Sequence, residues 1–271
     1  MNYETYKPHP DLELIVNCYW TLEVPKSDTT IKQRIIPDGL LELALILGDD
    51  IKRYTTEDEY ILQPRSMVLG QTMEPFFIEP TGYVNTFAIR FYPYGFANLV
   101  TVPIKELANK ETAIVELFGE RTSKELEHKI IEAKDVQQRI EIIEDFLFQK
   151  LTEPVTIDKL VKSTVDMLIS SRGSISINTI LNENASQRRT LERKFREVIG
   201  ISPKQLGKVV RLQAALKILL NDEKENLTYV AHETEYYDQA HFIKDFKEFT
   251  GINPKEFLKS ENMKLSSLFY K

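Results

Sequence analysis

One stretch of this sequence occurs twice, and the repeat constrains what the chain can fold into more than any other feature. The run from Leu191 to Leu206 (LERKFREVIGISPKQL) returns as the run from Phe242 to Phe257 (FIKDFKEFTGINPKEF). At a constant offset of 51, Phe195, Glu197, Gly200, Ile201, Pro203 and Lys204 meet Phe246, Glu248, Gly251, Ile252, Pro254 and Lys255. Two copies fall short of the three or more units that a stacked solenoid needs. The repeat therefore predicts a tandem of small helical units.

A length of 271 residues leaves room for about two domains, each with its own core. The formal charge of −6 is unevenly spread. Residues 172–260 hold 15 Lys/Arg against 12 Asp/Glu, a net of +3, and the remainder holds 20 against 29, a net of −9. The repeat thus sits in a basic part joined to an acidic one. Cys18 is the one cysteine, so no internal disulfide can form and a reducing compartment fits. No basic, apolar leader and no apolar run of about 18 residues is present, which predicts a soluble, cytoplasmic protein without a membrane partner.

Residues 1–103 read as a β-rich domain. Strands are expected over 13–22, 34–36, 40–47, 59–62, 66–69, 76–79 and 84–91, separated by Pro and Gly signals such as Pro37-Asp38-Gly39 and Pro93-Tyr94-Gly95. Short strands at this spacing predict an antiparallel β-barrel or sandwich, so the fold class is α+β. Residues 104–152 turn helical, with Ile140, Ile143, Phe146, Leu147 and Leu151 at three- and four-residue steps. Two readings stand: a connector packed on the sheet, or helices that pair two copies of the chain. Thr152-Glu153-Pro154 marks a boundary, because Pro biases the residue before it away from helix. Helices are expected near 155–171, 176–184, 187–199, 203–221, 227–233, 239–249 and 254–259. Gly173, Gly200 and Gly251 occupy C-cap positions and Pro203 and Pro254 first-turn positions. Residues 262–271 form a tail.

On a helical wheel Leu191, Phe195, Val198 and Lys194 gather on one side, and Arg189, Arg193 and Arg196 lie within about 60° on the other. In the second copy Phe242, Phe246 and Phe249 face in, while Ala240, Lys244 and Lys247 face out. A short helical segment precedes each copy, 177–184 and 227–233. Helix, turn and helix with a cationic outer face is the helix-turn-helix arrangement, whose Arg and Lys contact phosphates and read base edges. A helical bundle with a solvated charged face is the alternative for either copy alone. Two copies with cations at matching positions favour the DNA reader.

Over about 155–260 the chain is identified as resembling the AraC/XylS family of transcription regulators. The residues that carry the resemblance are Leu191 through Glu197, Gly200-Ile201-Ser202-Pro203, Arg211-Leu212-Gln213-Ala214-Ala215, and His241-Phe242 through Phe246-Lys247 with Gly251, Pro254 and Phe257. The resemblance implies a DNA-binding domain over 153–261, with two helix-turn-helix units on a long linker helix. Base-contacting positions fall at Arg189, Glu192 and Arg193, and at Gln239, Ala240, His241 and Lys244. Arg188, Arg196 and Lys247 complete the DNA-binding surface. Arg211 is read as structural. The family pattern has Ala-x-x-x-Gly in each unit. Here Leu181 and Ala185 stand in the first unit, and Ala231 with Glu235-Tyr236 in the second. A non-Gly residue at positive φ costs on the order of 1 kcal/mol. The second unit, with Glu235 and Ala240, is thus expected to be the weaker reader.

The family places a sensing or dimerising domain, often cupin-like, in the N-terminal part. Arg34 through Gly39, Gly70-Gln71 and Arg90-Phe91-Tyr92-Pro93 also resemble a less characterised domain found before such DNA-binding domains. Trp20, Arg34, Asp38, Glu42 and Arg90 could line an effector pocket; alternatively Trp20 is core and the charges pair locally. A metal-dependent cupin enzyme needs clustered His and carboxylate ligands. Of His9, His128, His232 and His241, only His9 lies in the β part. Cys18 has no nearby His and reads as core filler rather than an alkyl acceptor. No phosphate loop or nucleophile motif is found. The expectation is a non-enzymatic, sequence-specific transcription regulator, an activator, with no cofactor and no metal. Its expected partners are double-stranded DNA, RNA polymerase, a second copy of the chain and a small-molecule or protein effector. The alternatives are an interaction or sensor protein with a degenerate helix-turn-helix domain, and a cupin-like enzyme.

Overall fold

The structure is a computed structural model that describes residues 1–27, 31–151, 154–182, 185–221, 227–260 and 262. The expected boundary at Thr152-Glu153 and nearly all of the expected tail lie outside those residues. Ten strands come first: β1 (Asn2–Tyr6), β2 (Val16–Val24), β3 (Gln33–Ile35), β4 (Leu41–Ile46), β5 (Ile51–Tyr54), β6 (Tyr60–Leu62), β7 (Ser66–Leu69), β8 (Phe76–Pro80), β9 (Val84–Phe91) and β10 (Glu111–Ala113). They form two antiparallel sheets, a six-stranded one ordered β1-β2-β9-β4-β7-β10 and a four-stranded one ordered β3-β8-β5-β6. The sheet runs past residue 103, because β10 pairs with β7 through Glu111 opposite Leu69.

The six-stranded sheet is apolar on both faces, and the two-residue period sorts its side chains. Leu41, Leu43 and Leu45 of β4 and Phe87, Ile89 and Phe91 of β9 point one way, into a core that includes Leu12 and Tyr19. Helices α1 (Ile114–Phe118), α2 (Glu120–Glu132) and α3 (Val136–Lys150) cover that face. Leu126 and Ile130 of α2 and Ile140, Ile143, Phe146 and Leu147 of α3 belong to the same core. The helical stripe that could have paired two chains is therefore used within one, and what α3 exposes is polar: Gln137, Glu141, Asp145 and Gln149, with Phe148 beside them. The other face carries Trp20, Leu22, Ala44, Ile46, Met67, Val84 and Ala88 and looks toward the four-stranded sheet.

The second half is helical: α4 (Lys159–Ser170), α5 (Ile177–Ile180), α6 (Ala185–Val198), α7 (Pro203–Asn221), α8 (Leu227–Glu233), α9 (Gln239–Thr250) and α10 (Pro254–Lys259). Asp158 starts α4, its Oδ1 accepting from the amides of Leu160 and Val161 at 3.0 and 3.1 Å. Asn253 and Glu256 form a reciprocal capping box on α10. Gly173, Gly200 and Gly251 take positive φ (+75°, +96° and +76°), as helix-ending glycines do.

The repeat also docks symmetrically on the N-terminal half. A Cβ on Gly200 would lie 3.1 Å from the Ile104 carbonyl oxygen, and one on Gly251 would lie 2.6 Å from Nη1 of Arg34. Each unit takes side chains from the N-terminal half into its core, one of them buried. Tyr94 joins Val161, Leu191, Phe195 and Leu206 in the first, and Ile36 joins Val209, Leu212, Phe246 and Phe257 in the second.

Candidate nucleic-acid interface

Each unit is a short helix followed by a longer one, α5 then α6 and α8 then α9. The buried side of α6 is Leu191 and Phe195, continued by Ile199 just past its end; that of α9 is Phe242, Phe246 and Phe249. Arg188, Arg189, Arg193 and Arg196 are exposed on α6, and Ala240, Lys244 and Lys247 on α9, as their wheel positions require. Helix α7 carries both units, rising about 28 Å over its 19 residues. Its Leu206 serves the first core and its Leu212, Leu216 and Leu219 the second.

The outer charges differ in how free they are. Arg188 donates to the Asn178 side-chain carbonyl at 2.9 Å, and Arg193 pairs with Glu197 one turn on at 3.0 Å. Exposed pairs of this kind are worth about 0–1 kcal/mol, so a phosphate or a guanine edge can displace them cheaply. Arg189, Arg196, Lys244 and Lys247 have no ion-pair partner among the described residues. Glu192 is half-buried at the edge of this surface. In the second unit Gln239 accepts from the Thr228 hydroxyl at 3.2 Å. The backbone amide of His241 is capped by Asp238 at 2.7 Å, and its ring lies 5.3 Å from that of Tyr236 and 3.7 Å from Asp245 Oδ2.

Each turn carries a non-Gly residue at positive φ, and in the second unit it stands at the family glycine position. Glu235 sits at φ +53°, so the second unit keeps the left-handed turn and bears its strain. In the first unit Asn182 takes φ +47°, at the end of α5, and Ala185 is already helical. Asn adopts this conformation more easily than Glu, because its short amide can bond locally.

Two features, Lys208 and Tyr237, escape the periodic reading, while Lys194 falls on the packed side where the wheel places it. Lys208 of α7 reaches Asp245 at 3.4 Å and Glu248 at 3.0 Å, pinning α9 to the linker helix. Burial opposes the charge on Lys208, but the two carboxylates outweigh it and hold the ammonium above its usual pKa. The only sequence signal was a carboxylate, Asp245, at a buried phase of the wheel. Lys194 is held by Asp158 of α4 and so belongs to the packing side of α6. Tyr237, just before the Asp238 cap, is 93% exposed and packs on nothing that would explain it. Arg211 donates to the Gly173 carbonyl at 2.7 Å and lies over the Tyr236 ring, a structural position.

Of the five residues expected around an effector, four meet. Glu42 Oε1 accepts from Trp20 Nε1 at 3.1 Å and from Arg90 Nε and Nη2 at 2.7 and 2.6 Å, with Asp38 Oδ2 3.6 Å from Arg90. Burial, with the Glu42 charge adding to it and Arg90 opposing, pushes the Asp38 carboxyl up to about 6. The charges thus pair locally. Arg34 is elsewhere: it donates to the Thr250 carbonyl at the end of α9. The reason is the strand period, since Ile35 faces inward and its neighbours must face out. Cys18 is half-buried, and burial raises its thiol pKa, which disfavours the reactive thiolate. Among the described residues, no group of three or more His, Cys, Asp or Glu could hold a metal ion, and no helix is long and apolar enough to cross a membrane.

Comparison with known proteins divides the chain as the structure does. Residues 182–260 match the family described as a helix-turn-helix domain, and residues 4–113 match a domain of unknown function (DUF6597). An uncharacterized HTH-type transcriptional regulator of Haemophilus influenzae is 35% identical over 71 residues, which are 26% of this chain and 24% of that protein. The chain thus spans about a quarter of that relative's length. Among solved structures, ToxT of Vibrio cholerae is 12% identical over 96% of this chain and 98% of its own, with a TM-score of 0.49. An unsaturated-fatty-acid-bound form of ToxT from strain SCE256 is 14% identical over 90% and 94%, with a TM-score of 0.44.

Proposed function

We propose that this chain, whose C-terminal part contains a helix-turn-helix domain of the AraC type, is a sequence-specific transcription regulator. It lays α6 and α9 into successive major-groove segments of one DNA duplex. The carrying observation is that two helices at a constant offset expose cations at matching positions, on one linker helix whose rise of about 28 Å approaches the roughly 34 Å of one DNA turn. Phosphate contacts by Arg188, Arg196 and Lys247 would supply affinity. Arg189, Glu192 and Arg193, with Gln239, Ala240, His241 and Lys244, would face base edges.

The N-terminal sandwich with its helical layer is proposed as the sensor, and residues 153–261 as the DNA-binding domain. The reading is of a cytoplasmic regulator rather than an enzyme, acting with RNA polymerase and as a homodimer. Genomic DNA capture with the purified chain tests the function. A two-part motif with halves about 10 base pairs apart is expected. Capture without any enriched motif would favour a protein-interaction role for the helical half.

A further inference from the structure

The two faces of the six-stranded sheet are filled to different degrees. On the helix-covered face Leu41, Leu43, Phe87, Ile89 and Phe91 are 0% exposed. On the opposite face Ala88 is 0% exposed but Trp20, Leu22 and Ile46 keep 5–6%, and across from them Ile51 and Phe76 of the four-stranded sheet keep 6–8%. Those that keep exposure border a cavity of about 110 Å³ between the sheets.

We propose that this cavity is a binding site for a small, compact, uncharged apolar molecule, and that filling it acts through β3 on the second helix-turn-helix unit. Trp20, Ile35, Ala44, Met67, Phe76 and Ile78 supply apolar walls. Three polar side chains line it: Glu42 holds Trp20 and Arg90, the Gln63 amide donates to Glu111 at 2.7 Å, and Thr86 adds a single hydroxyl. A ligand with several polar groups would lose water bonds without replacement. For size, a dry apolar cavity of about 150 Å³ admits benzene, so a cavity of about 110 Å³ makes benzene the upper limit of the occupant.

The route out of the cavity is three residues long. Ile35 lines the cavity from β3, an edge strand whose one neighbour in the sheet is β8. Arg34 and Ile36 on either side of it point to the DNA-binding half. Arg34 donates to the Thr250 carbonyl at the end of α9, and Ile36 sits in the core with Val209 and Leu212 of α7. Just beyond, the Pro37 carbonyl accepts from Gln213 of α7 at 2.6 Å. At the base of the same segment, Asp38 is held by Arg90, which Glu42 of the cavity wall holds in turn. A strand paired on one side is displaced more easily than a central one, so pressure on Ile35 moves Arg34 and Ile36 together.

The proposal rests on reading the N-terminal sandwich as a sensor, but its test needs no operator. Benzene and xenon are the probes, applied to the full chain. Saturable benzene binding by NMR titration is expected, with xenon located between the sheets in a crystal. Benzoate should bind at least tenfold more weakly. Ala44→Leu, which fills the space, should abolish benzene binding while leaving the far-ultraviolet spectrum unchanged. Amide hydrogen exchange over 247–252 should change at least threefold on benzene addition. Arg34→Ala, which leaves the cavity wall intact, should keep benzene binding and lose that exchange response. No saturable binding, or benzoate binding as tightly as benzene, overturns the site. Binding with unchanged exchange over 247–252 overturns the coupling. Neither result depends on whether DNA capture succeeds.

Discussion

The two helix-turn-helix units share a core and differ on the outside. Phe195 and Phe246 are both fully buried, Gly200 and Gly251 both end a helix at positive φ, and Pro203 and Pro254 both begin the next. The outer faces have drifted: four arginines on α6, against an alanine and two lysines on α9. The positive-φ residue of the turn also falls at non-equivalent positions, Asn182 in one and Glu235 in the other. Packing restrains every buried position to one size and shape, whereas an exposed position is free to follow what the surface must touch. The repeat is therefore one scaffold used twice, with the specific surface concentrated in the first copy.

The units also differ in how they are held. The first is fastened to α4 through Lys194 and Asp158. The second is fastened to the linker helix through Lys208 and to the N-terminal half through Arg34. The surface-poor unit is thus the one joined to the sandwich by a hydrogen bond from a charged side chain. This suits a division in which the first unit reads and the second transmits.

Substitutions can break this comparison at several scales. The largest effect is expected where the copies agree: Phe195→Ala and Phe246→Ala should each cost about 3–5 kcal/mol in urea unfolding. A much smaller cost at one of them would show that its unit is loosely packed. Arg193→Ala should weaken specific DNA binding by about 1–3 kcal/mol in a gel shift. Lys247→Ala should weaken all sequences alike and lower the salt slope by about one. Equal loss of specificity from both would remove the asymmetry.

Asp245→Ala should cost about 1–2 kcal/mol of stability, discounted from a buried pair because Lys208 is partly exposed. The folded pKa of Lys208 is raised, so its contribution is present below about pH 10.4 and fades as pH rises through the folded value. The cost of Asp245→Ala should shrink in that alkaline range. The smallest effect is a gain: Glu235→Gly should stabilise by about 1 kcal/mol, read as a higher melting temperature. Asn182→Gly should do little, because Asn already tolerates that backbone.

Much of the helical half was readable in advance because its signals are local. Helices α7, α8 and α10 begin and end where the Pro, Gly and apolar phases place them, and the outward set of α6 and α9 follows from residues three and four apart. Among the strands, β7 and β9 were read to the residue, while β1, β5 and β10 were missed. Asn2–Tyr6 lacks a run of buried residues, and Ile51–Tyr54 and Glu111–Ala113 are too short for two-residue alternation to stand out.

By itself, the sequence determined the duplication, the buried and outer faces of each copy, the caps, and the division into a sheet half and a helical half. All of these rest on periodicity and short-range bonding. Only the tertiary structure decided that Arg34 leaves the sandwich for Thr250, that Lys208 finds Asp245, and that one face of the six-stranded sheet is solid and the other hollow. Those outcomes depend on which distant side chains meet and on whether their summed volumes fill the space between two sheets, and no local pattern carries either quantity.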